Sequence, residues 1–164
     1  MPLIIVEGID RVGKSTLCSI ISEELKIPCF HDKFKPKYLY GHYSNEVAND
    51  FIKLKMEMLV QTLQLAGNIV IDRFHLTELV YNYFRNIICL EIVNYYDKLL
   101  AEMDAVLILV QPENIKLASK NHGSDLQKHH DLFNFVFVNS LIKRKFITSY
   151  SRLDEAVKYA KLFN

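Results

Sequence analysis

Leu3-Ile4-Ile5-Val6-Glu7-Gly8-Ile9-Asp10-Arg11-Val12-Gly13-Lys14-Ser15-Thr16 is the stretch from which the rest of the chain is read. An apolar run ends at Glu7, and Gly8-x-x-x-x-Gly13-Lys14-Ser15 follows, the full pattern of a phosphate-binding P-loop. The pattern has a physical cause. A loop that wraps a phosphate chain with its backbone N–H groups needs glycines for close approach and for unusual φ angles. The helix that comes next adds free N–H groups and the positive end of its dipole. Lys14 is then expected to reach the β- and γ-phosphates, and the Ser15 hydroxyl to ligand Mg²⁺. Two of the five glycines in the chain fall in this loop, which argues against a chance Gly-Lys-Ser in an ordinary turn.

Working outward, Leu3 to Val6 runs without polar alternation and predicts a buried parallel strand. Leu17, Ile20, Ile21 and Leu25 predict a helix over Thr16 to Lys26. Ile27 to Phe30 reads as a second strand, and His31 to Tyr43 as a basic, tyrosine-rich loop beyond its carboxyl end, where open α/β sheets bind ligands. Ser44 or Asn45 is set to cap a long helix to Ala66, with Val47, Phe51, Leu54 and Met58 on one face and Gly67 as its stop. Asn68 to Asp72 predicts a third strand, and helices follow at about His75–Arg85 and Glu91–Met103. Ala105 to Val110 is the fourth strand, stopped by Pro112. Glu113 to Lys145 reads as mostly helical with a break near Asn121–Asp125, and Phe146 to Ser149 as a fifth strand. Ser151-x-x-Asp154 resembles a capping box for a last helix to about Leu162. This alternation predicts an α/β fold: a doubly wound, five-stranded parallel sheet with helices on both faces, in one domain over the 164 residues.

Composition narrows the partners. A net charge of +1 provides no global field to recruit polymeric nucleic acid or an anionic membrane, so phosphate binding is expected to be local. Cys18, Cys29 and Cys89 are odd in number and form no CxxC or four-ligand set, which predicts reduced packing residues. No long apolar run or signal-peptide pattern occurs, so a soluble, cytoplasmic protein is expected.

Asp72-Arg73 is the second focus. A buried strand ending in a carboxylate and a guanidinium puts both beside the P-loop. There an acid can hold the magnesium shell, directly or through water, and an arginine can clamp a second anionic substrate. Read alone, the dipeptide is equally an ordinary ion pair closing a strand.

Glu7-Gly8-Ile9-Asp10-Arg11-Val12-Gly13-Lys14-Ser15-Thr16 resembles the P-loop of thymidylate kinases, Glu-Gly-x-Asp-(Arg/Gly)-x-Gly-Lys-(Ser/Thr). Asp72-Arg73-Phe74 with Thr77, Tyr81 and Asn82 is similar to that family's second motif, Asp-Arg-Tyr followed by Ser-x-x-Ala-Tyr-Gln. The resemblance implies that Gly8, Gly13, Lys14, Ser15 and Thr16 hold ATP phosphates, with Mg²⁺ at Ser15 and Asp72. It implies that Arg73 binds the phosphate of an acceptor nucleotide, and Asp10 its 3′-hydroxyl. Tyr81 and Asn82 would border the acceptor nucleoside, with Phe34 and Phe51 nearby. Arg11 would act on the transferring phosphoryl group from the P-loop, as in the members that carry arginine there. In agreement, no arginine lies between Asn86 and Lys143, and the lid expected at about 113–125 offers only Lys116 and Lys120.

This sequence departs from the family where a base-reading arginine is expected in the long helix; Lys53 and Lys55 are the only cations there. The implied activity is transfer of the ATP γ-phosphoryl group to a deoxynucleoside monophosphate, dTMP or a 5-substituted dUMP. Two alternatives remain: a kinase of a nucleoside or of a hydroxyl on a modified nucleotide, with Asp32 as base, and a nucleotide-binding P-loop module that is not a kinase. Small-molecule nucleotides are the expected partners. A homodimer is compatible with the sequence, and neither a membrane nor polymeric nucleic acid is expected.

Overall fold

The computed structural model describes residues 2–31, 44–87, 89–115 and 125–164. Strands β1 (Leu3–Glu7), β2 (Cys29–His31), β3 (Ile69–Asp72), β4 (Val106–Gln111) and β5 (Arg144–Ser149) form one sheet in the order β2-β3-β1-β4-β5. All four pairings are parallel, with Val6 opposite Asp72 and Ile108, and Gln111 opposite Ser149. Six α-helices lie among the described residues: α1 (Lys14–Leu25), α2 (Asn45–Ala66), α3 (His75–Tyr83), α4 (Leu90–Glu102), α5 (Asp125–Asn139) and α6 (Leu153–Lys161). α1 packs with α6, whereas α3 meets both α4 and α5, and α2 meets α4. Right-handed crossovers put α1 and α6 on one face and the other four on the opposite one. The predicted doubly wound sheet is thus the observed one.

The three central strands are buried on both faces, which their unbroken Leu/Ile/Val runs require. Their carboxyl ends carry the polar residues Glu7, Asp72 and Gln111 and define the edge on which the site is built. α2 runs where expected, with the Ser44 side chain accepting from Val47 N at 3.4 Å and Gly67 at φ 73° closing it.

Its buried face is not the predicted one. Ala48, Ile52, Met56, Leu59, Val60 and Leu63 face the core. Val47 is exposed, as are Leu54 at 54% and Met58 at 62%. The helix carries two apolar stripes, and sequence periodicity alone does not tell which one the sheet covers.

Three further boundaries are corrected. The chain leaves α5 at Asn139, and β5 begins at Arg144, so the predicted helix to Lys145 ends early. Arg144 and Lys145 extend an outer strand, where polar side chains can reach solvent. The Ser151 capping box does not form: a 3₁₀ turn, Tyr150–Arg152, precedes α6, which has no side-chain cap. Ser151 N is instead taken by the Glu113 carboxylate at 2.8 Å.

Candidate active site

β1 delivers the P-loop into a tight space. Gly8 has φ 137°, and a Cβ there would come within 2.3 Å of Val110 O on β4, so glycine is needed for β1 to pass its neighbour's carbonyl. Gly13, at φ 94°, lies flat against the Tyr150 ring, 2.5 Å from where its Cβ would be. Arg11 also takes a left-handed backbone, φ 65°, and is exposed. The first N–H groups of α1 open toward the loop, as helix geometry requires. Lys14 begins that helix with only 4% exposure, and its ammonium donates to Ile9 O inside the loop. Burial, and then the nearby Arg73 charge, bring its pKa down to about 8 against the opposing pull of Asp72, Asp10 and Glu7. Ser15 and Thr16 are exposed at the mouth.

The Asp72-Arg73 corner is bound to this loop at several points. Arg73 N donates to Val6 O at 2.9 Å, and Ser15 Oγ donates to Asp72 Oδ2 at 2.5 Å. His31 Nδ1 lies 3.1 Å from the same Oδ2. Arg73 holds φ 74°, a left-handed backbone that costs a non-glycine residue about 1–3 kcal/mol. Its guanidinium pairs with the Asp10 carboxylate and lies 5.9 Å from the centre of the Tyr81 ring. Although burial opposes the charge, the hydrogen bond and attraction from Asp10 raise the Arg73 pKa.

Glu7, fully buried at the end of β1, is a residue the sequence argument left without a role. Its Oε1 accepts from Phe74 N at 2.9 Å, Leu76 N at 3.1 Å and Thr77 N at 3.3 Å, and its Oε2 accepts from the Thr77 hydroxyl. One carboxylate thus caps α3 and fixes the corner to the P-loop. Burial pushes the Glu7 carboxyl pKa up; the His75 charge and the hydrogen bonds pull the other way.

Further contacts join α2, α3 and α5. Lys55 Nζ reaches Glu78 Oε1 at 2.5 Å, and Asn82 Nδ2 donates to Glu78 Oε2 at 3.0 Å. Asn82 is 1% exposed, and its Oδ1 has no hydrogen-bond partner. Phe51, half-buried one turn before Lys55, shares its helix face. Lys53 points elsewhere: it is exposed on the α4 side, where its carbonyl accepts from Tyr96 OH at 3.5 Å. Lys55 is therefore the α2 cation that meets α3 beside Asn82. Tyr81 packs against His129 of α5 at 5.0 Å and Phe133 at 6.1 Å.

The structure brings together Gly8, Asp10, Gly13, Lys14, Ser15, Asp72, Arg73 and Tyr81, with Asn82 one residue behind. Phe34, Asp32, Lys116 and Lys120 lie outside the described residues, so their expected places in the site do too. Beyond Glu7, the sequence argument missed His31, Glu78 and His129. Only Glu7 carried a signal, as a lone carboxylate ending an apolar strand.

The residues suit a magnesium ion. Asp72 Oδ1 is buried without a hydrogen-bond partner, and the Ser15 hydroxyl sits on the other oxygen of the same carboxylate. Two oxygen donors beside a phosphate cradle are what a hard cation that keeps its waters uses. No cluster of three or more His, Cys, Asp or Glu able to hold a metal occurs among the described residues.

No family model matches the chain, and no curated protein does. Its fold is shared with two solved structures. A Bacillus subtilis protein, YorR, crystallised in complex with phosphorylated GDP, superposes with a TM-score of 0.65 at 22% identity, over 98% of this chain and 94% of that one. Thymidylate kinase from Ehrlichia chaffeensis superposes with a TM-score of 0.59 at 15% identity, over 90% of this chain and 86% of that one.

Proposed function

We propose that this chain is an ATP-dependent nucleotide kinase that transfers the γ-phosphoryl group to a deoxynucleoside monophosphate, dTMP or a 5-substituted dUMP. What supports this reading is that two groups able to bind anions lie against the same P-loop. Lys14 and the α1 N-terminus stand on one side, the Arg73–Asp10–Tyr81 cluster on the other, and the unpartnered Asp72 oxygen nearby. A monophosphate acceptor needs no strong base, because its second pKa near 6 leaves it a dianion at neutral pH. The chain has then only to position and neutralise, which cations and backbone N–H groups do.

In this reading the α1 N–H groups and Gly13 cradle the donor phosphates, and Lys14 leaves Ile9 O to neutralise them. Arg11 lies over the transferring group, and Arg73 turns from Asp10 toward the acceptor phosphate. Asp10 then takes the 3′-hydroxyl. Ser15 and Asp72 would hold Mg²⁺, which supplies charge neutralisation between the donor phosphates when bound. Lys55, Phe51 and Asn82 line the base side, where Lys55 stands in for the arginine absent from α2. Small nucleotides are the partners, with a cytoplasmic setting. No described helix is long and apolar enough to cross a membrane.

A guanine acceptor is the second reading. The fold-mate YorR was crystallised with phosphorylated GDP, and Asn82 Oδ1 and Glu78 are acceptors of the kind the guanine N1–H and N2 donors would use. A coupled ADP-release assay with MgATP across the deoxynucleoside monophosphates and their nucleosides separates these readings. Fastest turnover with dTMP or a 5-substituted dUMP, with nucleosides nearly inert, is expected. Turnover of a nucleoside with none of any monophosphate would overturn the proposal and promote Asp32 to base.

A further inference from the structure

His129 belongs to neither sequence motif, yet its ring lies in a row that ends on the Arg73 guanidinium. Phe84 is 4.3 Å from it on one side and Tyr81 5.0 Å on the other, with the planes tilted 40° and 39°. Beyond Tyr81 stands Arg73, 5.9 Å from the ring centre. The Arg73 side chain and the Asp10 main chain also pull the Tyr81 phenol pKa down against the burial that raises it. The row is anchored at His129, whose Nδ1–H donates to Asp125 O at 2.7 Å, at the first residue of α5. A carbonyl only accepts, so this bond fixes the tautomer and the ring orientation.

We propose that His129 is a positioning residue for the acceptor site: clamped by Asp125 O and Phe84, it holds the Tyr81 ring in register and through it the Arg73 guanidinium. This rests on the kinase reading for its consequence, but not for its geometry. Arg73 starts on a left-handed backbone with its side chain shared between Asp10 and Tyr81. When an acceptor phosphate draws the guanidinium off Asp10, the contacts to Tyr81 are what keep its direction. Tyr81 sits on a nine-residue helix, and its ring is supported from α5 by His129 and Phe133. A ring-to-ring contact of this kind is worth a few-fold to about tenfold in an equilibrium.

The test compares His129→Ala with His129→Phe, which keeps a flat ring and loses the Nδ1 bond. In His129→Ala the acceptor KM is expected to rise about 3- to 10-fold, with ATP KM unchanged and kcat lowered less than threefold. His129→Phe, which keeps the ring contacts but not the bond to Asp125 O, should recover part of that loss. A wild-type acceptor KM in folded His129→Ala, or equal rises in both substrates' KM, would overturn the assignment, as would a His129→Phe protein no better than the alanine variant. A second readout needs no turnover. Burial raises the Tyr81 phenol pKa in the free protein, and ¹³C-tyrosine NMR, assigned with Tyr81→Phe, follows its titration. Removing the His129 ring should let that pKa fall toward its ordinary value, and the phenylalanine ring should hold it up. An unmoved titration in His129→Ala defeats the stack itself. A moved titration in a protein that phosphorylates no monophosphate defeats the kinase reading and leaves the stack standing.

Discussion

The proposed donor and acceptor sides of the site are built in opposite ways. On the donor side, one continuous segment from Glu7 to Thr16 does nearly everything, mostly with backbone. Two glycines hold angles that L side chains rarely adopt, a helix N-terminus opens, and one buried lysine folds back onto its own loop. On the proposed acceptor side most of the described contacts join groups far apart in sequence. Arg73 meets Asp10 across 63 residues, Lys55 meets Glu78 across 23, and Tyr81 meets His129 of another helix. A backbone-built site is specified locally and tolerates little variation. A side-chain-built site can change its ligand with single substitutions while the fold stays intact.

Arg11 tests the reach of the donor side. Arg11→Gly should lower kcat on the order of 10²–10⁵-fold with a few-fold change in ATP KM, because a cation supplied in cis acts mainly on the transition state. Glycine suits the φ of 65° at this position, so the backbone itself should not suffer. A folded variant turning over near the wild-type rate would put the charge elsewhere, and the donor side would then be backbone and Lys14 alone.

Arg73→Ala probes the acceptor side. About 30- to 1000-fold loss in acceptor kcat/KM is expected, with ATP binding little changed. Alanine bears the same left-handed backbone as arginine at φ 74°, so the difference reports the side chain. An equal loss for both substrates would erase the division between the two sides.

The Lys14 amine gives a pH signature confined to the donor side. With its pKa lowered to about 8 in the free protein, the ammonium is present below that pH and lost as pH rises through it. ADP affinity by calorimetry should therefore weaken above pH 8, by up to about tenfold per unit, and Lys14→Met should flatten the profile. A profile flat from pH 7 to 9.5 in the wild type would show that the lysine stays charged.

The smallest effect concerns Asp10, which sits in the P-loop and is proposed to serve the acceptor side. The wild type should handle 3′-deoxy acceptors several-fold worse than 3′-hydroxy ones, as one charge-assisted hydrogen bond would dictate, and Asp10→Asn should narrow that gap. Equal handling by the wild type would leave Asp10 solely as the partner of Arg73.

The same division governs what could be read in advance. The P-loop, the parallel doubly wound sheet implied by alternating elements, and the placement of Asp72-Arg73 at a strand end follow from local pattern, because spacing and glycine geometry are properties of the chain itself. The wrong face of α2 shows the limit. Val47, Leu54 and Met58 repeat with a helical period as convincingly as Ala48, Ile52 and Met56 do, and only the sheet's position decides which stripe is covered. The failed capping box at Ser151 has a similar cause, since Glu113 from the β4 side takes its N–H.

What the sequence determined alone is the phosphate cradle and the sheet that carries it, for their requirements are met within a dozen residues or by a repeating pattern. What only the tertiary structure decided is which side chains of α2, α3 and α5 meet one another. Glu7 became the cap of α3, Lys55 rather than Lys53 met Glu78, and His129 came to stand behind Tyr81. Such pairings depend on helix rotation and crossing between segments tens of residues apart, and no local pattern encodes them.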